Sequence, residues 1–283
     1  MSFESLGLDA SILKAVADQG YTEPTPIQKA SIPVIISGKD VIGVAQTGTG
    51  KTAAFTLPLL TKLVQSKNST HQGRVRCLIL APTRELVVQI AENVNAYSRY
   101  AGLSVATCYG GVGERPQIAA LRAGCDILVA TPGRLLDFMS QGTISLKDVE
   151  VLVLDEVDRM LDMGFLEQVS HILDYTPGTR LTWLFSATYS PEVRALSQRF
   201  QREPQAVTVE SQHSTDTITQ YFYSVEPAVR SEAVLGLLLQ QHLHEKFGQQ
   251  VPFLHGGVQK AGRDRMVAQF QSGDATSPLL LVS

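Results

Sequence analysis

The chain has 283 residues, 44% hydrophobic and 18% charged, which is enough for two cores of ordinary size, so two domains are expected. A net charge of −3 excludes the global basic field of a histone-like binder, and any nucleic-acid contact has to be local. Three cysteines, Cys77, Cys108 and Cys125, lie without a CxxC pair or nearby His ligands, which argues against a disulfide framework or a zinc site and fits a reducing cytoplasm.

The start, MSFESLGLDA, has neither the basic region nor the apolar core of a signal peptide. No apolar run reaches the roughly 18 residues of a membrane span, so neither export nor membrane insertion is expected. From residue 41, short apolar strands alternate with helical patterns: VIGVA (41–45), CLILA (77–81), SVATCYG (104–110), DILVA (126–130), VLVLD (151–155), LTWLFSA (181–187) and AVTVE (206–210). Arg84 to Arg99 and Gln117 to Arg122 read as helices between them. Strands apolar on both faces and separated by helices predict an α/β domain, residues 1–209, with a parallel sheet covered on both sides. A polar linker, 210–216, precedes a second α/β segment, 217–283. In it, strands are expected at 218–225, 251–257 and 278–283, with helices over Glu232 to Gln241 and Arg263 to Gln271. The chain stops at the end of a strand, so it reads as cut short. The histidines show no ligand spacing and are expected at the surface, apart from His255 in an HGG turn.

The segment AQTGTGKT (45–52) comes directly off VIGV and opens a helix. Ala45 stands where the general phosphate-loop pattern has Gly. Through Gln46, Thr47, Gly48, Thr49 and Gly50, backbone amides can turn toward a phosphate, Lys51 can reach the outer phosphates, and Thr52 can offer its hydroxyl to Mg2+. The run VLVLDEVDRM (151–160) carries a strand into three acids, Asp155, Glu156 and Asp158. Beside a phosphate loop, an Asp at a neighbouring strand end holds Mg2+, so Asp155 is the metal-side carboxylate and Glu156 the group that polarises an attacking water. Glu156, Asp155 and Lys51 form the expected catalytic set.

These residues resemble a DEAD-box ATP-dependent RNA helicase, a family of two RecA-like domains, over residues 3 to about 239. The resemblance implies ATP and Mg2+ as ligands and RNA as partner. In GYTEPTPIQ (20–28), it implies that Tyr21 stacks on adenine and Gln28 hydrogen-bonds its edge, a sensible pairing of a flat ring with a donor–acceptor amide. APTREL (81–86), YGG (109–111) and TPGR (131–134) resemble the family's RNA-gripping motifs. They put Pro82, Thr83, Arg84, Gly110, Gly111, Thr131, Pro132, Gly133 and Arg134 against the RNA backbone. Such contacts do not read bases, so binding is expected to be sequence-independent and salt-sensitive. SAT (186–188) resembles the motif coupling hydrolysis to strand separation, with Ser186 and Thr188 directed toward Asp158. The sequence departs from the family at Val157, where DEAD has Ala. Two extra methyl groups in a tight site cost roughly 1–3 kcal/mol, but the carboxylates are intact and the chemistry should be tolerated.

The second segment starts as the family's second domain does, then lacks about one strand and its turn between LLLQQ and HLHEKFGQQ. Its tail, from QVPFLHGG with Lys260 to FQSGDATSPLLLVS, resembles a Swi/Snf-type ATPase second domain. No HRxGRxGR segment follows. A missing arginine of that kind costs about 10³ to 10⁵ in turnover, so the chain is expected to bind ATP and to hydrolyse it weakly or not at all on its own. The alternative is a non-catalytic, nucleotide-responsive RNA-binding or scaffold protein.

Overall fold

A computed structural model describes residues 2–66 and 74–209 continuously, together with 235–236, 253–254 and 280–281. The chain divides into two compact units, Met1–Gln212 and His213–Ser283. The first is built on seven strands: β1 (Val41–Val44), β2 (Cys77–Leu80), β3 (Val105–Cys108), β4 (Ile127–Ala130), β5 (Val151–Leu154), β6 (Leu181–Ser186) and β7 (Gln205–Thr208). All pairings are parallel and the order is β3-β4-β2-β5-β6-β1-β7. All seven strands lie where the sequence predicts them, and the fold is an α/β sheet of RecA-like type flanked by helices.

Residue alternation along the strands splits the interior into two apolar layers. Val151, Val153, Ile127, Val129, Cys77 and Ile79 join the layer beneath α1 (Ala10–Asp18), α2 (Pro26–Ile36), α3 (Lys51–Gln65) and α4 (Arg84–Tyr97). Leu152, Leu154, Leu128, Ala130, Leu78 and Leu80 point the other way, toward α5 (Glu114–Ala123), α6 (Pro132–Ser140), α7 (Val157–Asp162), α8 (Leu166–Asp174) and α9 (Pro191–Phe200). Successive strand side chains face opposite sides, so an unbroken apolar run is what a sheet covered on both faces requires. Helix α4 stops at Tyr97, two residues short of the predicted end, as the chain turns at Tyr100 to Gly102, where φ is +62°. Helix α5 starts earlier than predicted, at Glu114 directly after Gly113.

At the sheet's amino edge, buried Asp40 accepts from the Thr182 N–H (2.8 Å) and the Arg202 N–H (2.7 Å), fixing the starts of β6 and β7 to β1. The three thiols are free and buried, and burial pushes Cys108 and Cys125 up to about 12, so neither is a nucleophile at neutral pH. No helix among the described residues is long and apolar enough to cross a membrane. In the second unit, β8 (Phe253–Leu254) and β9 (Leu280–Leu281) pair in parallel. The expected linker 210–216, the strand at 218–225, the helix over Arg263 to Gln271, the HGG turn and the Swi/Snf-like tail otherwise lie outside the described residues.

Gly43 of β1 pairs with Phe185 of β6, and a Cβ built at Gly43 would stand 2.5 Å from the Phe185 ring. The absent side chain lets that ring lie on β1 one residue before the strand end, where it also packs against Phe55 with ring centroids 5.2 Å apart. Gly43→Ala is expected to destabilise the first unit by about 1–3 kcal/mol through overpacking, seen as a lower urea midpoint with an unchanged slope.

Candidate functional site

Beyond β1 the chain forms a tight cradle. The Ala45 N–H extends the β1–β6 ladder by donating to the Ser186 carbonyl (3.0 Å), and the loop then turns through positive φ at Gly48 (+83°) and Gly50 (+91°). Thr49 Oγ1 donates to the Gln46 carbonyl (2.7 Å) and closes the turn. Gly50 has a second reason to be glycine: a Cβ there would lie 2.6 Å from Gln28 Nε2. Lys51, 7% exposed, begins α3, and its ammonium donates to the Ala45 carbonyl (2.7 Å). An ammonium has three donors, so the bond to Ala45 leaves N–H groups for a ligand held over the loop.

Two strands away, β5 delivers Asp155, 2% exposed, whose N–H donates to the Leu80 carbonyl (2.9 Å). Burial is the main cause that pushes the Asp155 carboxyl from its ordinary 3.8 to about 7. The Lys51 charge pulls it down, the Glu156 N–H bonded to Oδ1 does the same, and the Glu156 and Asp158 charges push it up. Glu156 adopts a left-handed conformation (φ 51°, ψ 51°), uncommon outside glycine, which turns the chain sharply from strand into α7. Its carboxylate lies 3.5 Å from the Arg159 guanidinium. Val157 is fully buried among the apolar residues of the second layer. Asp158 faces the end of β6. Its Oδ2 accepts from the Ala187 N–H (3.1 Å), the Thr188 N–H (3.0 Å) and the Thr188 hydroxyl (3.2 Å), while its own N–H donates to Ser186 Oγ (3.4 Å).

Helix α2 adds the third side. Gln28 Oε1 accepts from the Thr25 N–H (2.9 Å), the return half of a capping box, and Nε2 donates to the Gly50 carbonyl (3.1 Å). Gln28 is 5% exposed and still lines the cleft, a cavity of about 430 Å³ shared with Tyr21, Thr47, Gly48, Gly50, Lys51, Thr52, Asp155 and Glu156. The opposite wall is one face of α4, with Leu86, Gln89, Asn93 and Tyr97. Sequence reasoning did not single these residues out. Their spacing of three and four is the signal for a shared helix face, but which face meets the cleft depends on tertiary packing. A larger cavity, about 730 Å³, lies along α6 and α8, and no residue of the expected site lines it.

The remaining expected residues collect beyond β2, β3 and β4. Pro82, Thr83 and Arg84 lead into α4, where Thr83 Oγ1 caps the helix by accepting from the Leu86 N–H (3.3 Å). Arg84 is half exposed, and its guanidinium reaches to 3.6 Å from a Cβ built at Gly111 (φ +79°), so these two loops meet. Thr131, Pro132 and Gly133 open α6, and Gly110 continues the turn after β3. Arg134 differs from Arg84: its side chain is only 13% exposed, it donates to the Val112 carbonyl (3.4 Å), and Glu114 and Asp137 lie at 3.7 and 3.9 Å. Gln117, another residue not anticipated, is 8% exposed and braces the YGG turn, accepting from the Tyr109 N–H (2.9 Å) and donating to the Tyr109 and Gly113 carbonyls.

Between pH 3.8 and about 7, folded Asp155 keeps a proton that the unfolded chain releases. Its contribution to stability is therefore complete below the lower value and is lost as pH rises through the upper one. The thermal midpoint of the ligand-free chain is expected to fall between about pH 4 and about pH 7, and Asp155→Asn should remove that part of the fall when both proteins are scanned side by side.

Comparison with known proteins gives this arrangement its kinship. The ATP-dependent RNA helicase RhlB of Pseudomonas aeruginosa is 45% identical over 246 residues, 85% of this chain and 62% of the relative. The ATP-dependent RNA helicase DeaD of Escherichia coli K12 is 45% identical over 239 residues, 84% of this chain and 37% of the relative. CshA of Streptococcus pneumoniae, a DEAD-box ATP-dependent RNA helicase, is 36% identical across 97% of this chain and 55% of its own length. The chain thus spans between 37% and 62% of the length of these relatives. A solved DEAD box protein from the hyperthermophile Methanococcus jannaschii matches with a TM-score of 0.70 at 30% identity, over 99% of this chain and 79% of that one. The DEAD/DEAH box helicase model matches residues 25–196, a stretch that includes the cradle, the acid turn and every strand-end loop described above, and the chain belongs to that family.

Proposed function

We propose that the first unit binds ATP with Mg2+, grips RNA by its backbone, and works as an RNA-stimulated ATPase and RNA helicase. The observation that carries this reading is the division of one sheet edge. The cradle, the SAT turn and the acid turn follow the adjacent strands β1, β6 and β5, and the three loops of the RNA-gripping type follow their neighbours β2, β4 and β3. Relatives named ATP-dependent RNA helicases support it.

In this reading the amides of residues 47–52 and the amino end of α3, 15 residues long, receive the phosphates, and the unspent N–H groups of Lys51 meet the outer ones. The donors near them suit Mg2+: the Thr52 hydroxyl and the Asp155 carboxylate are hard oxygen ligands, and the charged form of a buried acid is favoured by a cation. When bound, such an ion neutralises phosphate charge and aligns the transfer. Glu156, beside the cleft, orients the attacking water and accepts its proton. Asp158, bonded to the SAT turn, ties any shift at the acids to the end of β6. Tyr21 and Gln28 read the adenine. Each end of the Gln28 amide has one protein partner, leaving one N–H and one lone pair for the base edge. On the RNA side Arg84 and the openings of α4 and α6 meet phosphates, while Arg134 holds the loop after β3 in shape.

Phosphate release by the purified chain, with and without RNA, tests the proposal. RNA stimulation that Glu156→Gln lowers by at least about 10²-fold, with ATP binding retained, is the expected result. Nucleotide binding with no turnover at saturating RNA would instead favour the nucleotide-responsive scaffold. Gln28→Ala should abolish the preference for ATP and ADP over GTP and GDP in a competition assay, at a cost of roughly 3- to 10-fold in ATP affinity for the lost polar contact.

A further inference from the structure

We propose that Tyr97 is a positioning residue that holds Tyr21 in place against the nucleotide base, so that adenine-nucleotide affinity depends on a hydroxyl pair outside the phosphate cradle. The inference rests on reading Tyr21 as the base-facing side chain. Tyr21 belongs to the connection between α1 and α2, just after Gly20 (φ +73°), and is 43% exposed. A ring so placed is free to turn, and a base stacking on it would have to supply the entropy of ordering it. Tyr97 has the opposite character. It lies in the last turn of α4, is 3% exposed, and shares the first apolar layer with Val87, Ile90 and Val94 of the same helix.

The two hydroxyl oxygens lie 3.3 Å apart, and the rings sit 6.2 Å apart at 58°, a tilted geometry favoured by aromatic pairs. Among the described residues, Tyr21 is the one hydrogen-bond partner of the Tyr97 hydroxyl. A core position that only had to fill space would be served by phenylalanine, whereas a buried hydroxyl needs a partner, and here the partner is a half-exposed ring lining the cleft. Burial raises the Tyr97 hydroxyl well above the usual tyrosine range, and the hydrogen bond to Tyr21 adds to it, so the contact keeps its proton at any working pH. The turn just after α4 is tied to the end of α1, because the Tyr100 hydroxyl donates to the Asp18 carboxylate (2.6 Å). The start of the connection and Tyr21 itself are therefore held to α4 and the turn that follows it.

Calorimetric titration of the full chain with ATP–Mg2+ and, separately, with Mg2+–tripolyphosphate tests the inference, since tripolyphosphate has the phosphates without the base. Tyr97→Phe should weaken ATP binding about 3- to 10-fold, the scale of one neutral hydrogen bond, and leave tripolyphosphate binding unchanged. Tyr21→Phe should behave alike, and the double variant should be no weaker than either single one. Wild-type ATP affinity in Tyr97→Phe, additive losses in the double variant, or equal loss for ATP and tripolyphosphate would each overturn it. Tyr21→Ala separates the two levels. If it weakens ATP binding while Tyr97→Phe does not, the base-facing reading stands and the positioning role alone falls. If it leaves ATP binding intact, both fall.

Discussion

Every pairing in the seven-stranded sheet is parallel, and that constraint organises everything else in the first unit. A parallel strand cannot hairpin back, so the chain crosses over each time and each strand ends at the same edge. Loops that follow β1, β2, β3, β4, β5 and β6 thus come together although the first and last, after Val44 and Ser186, are far apart in sequence. The strand order then sorts them. The chain places β5 between β2 and β6, so the acid turn stands at the border between the cradle side and the Arg84 side. That border position would suit the proposed coupling of two ligands, since the acids touch the β6 turn through Asp158 and border the β2 loop through the Asp155 N–H.

The same edge concentrates an electrostatic cost. Asp155 is almost wholly buried beside two other acids, and one buried ammonium, that of Lys51, offsets part of the penalty. Removing a carboxylate from water is expensive unless a charge or donors meet it, and here the meeting is incomplete, which is why the group holds its proton close to neutrality. A site in that condition favours a cation by more than its geometry alone suggests. A charged form only partly populated near neutrality without ligand, and favoured by a bound cation, is a way to make the two states of the cleft differ.

Strand positions and the strand-loop-helix cradle were legible in the sequence because each rests on a local pattern: apolar runs of four to six residues, glycines at the positive-φ turns, Lys51 opening a helical stretch. The link from Asp158 to Thr188 was legible too, through the resemblance of SAT to the family's coupling motif. Gln89, Asn93, Tyr97 and Gln117 were not. They are ordinary polar and aromatic residues on helices, and only packing decides that α4 turns this face to the cleft or that Gln117 folds back onto the Tyr109 turn. Arg134 marks the same limit from the other direction. TPGR does not say whether its arginine points to solvent or, as found, is held by Glu114 and Asp137.

Gln28 shows how closely base and phosphate sites are joined. One amide caps α2 through the Thr25 N–H and binds the Gly50 carbonyl, so the start of α2 and the middle of the cradle are a single hydrogen-bonded unit. Gly50 has no Cβ, and any side chain there would push this amide away. A base that engages the free valences of Gln28 therefore acts on the same group that fixes the loop under the phosphates. Through Tyr21 it also acts on the connection leading into that helix. On the proposed adenine-reading role of Gln28, base recognition and phosphate geometry would be one mechanical element with two faces, and a base of the wrong hydrogen-bonding pattern would disturb the cradle as well as lose its own contacts.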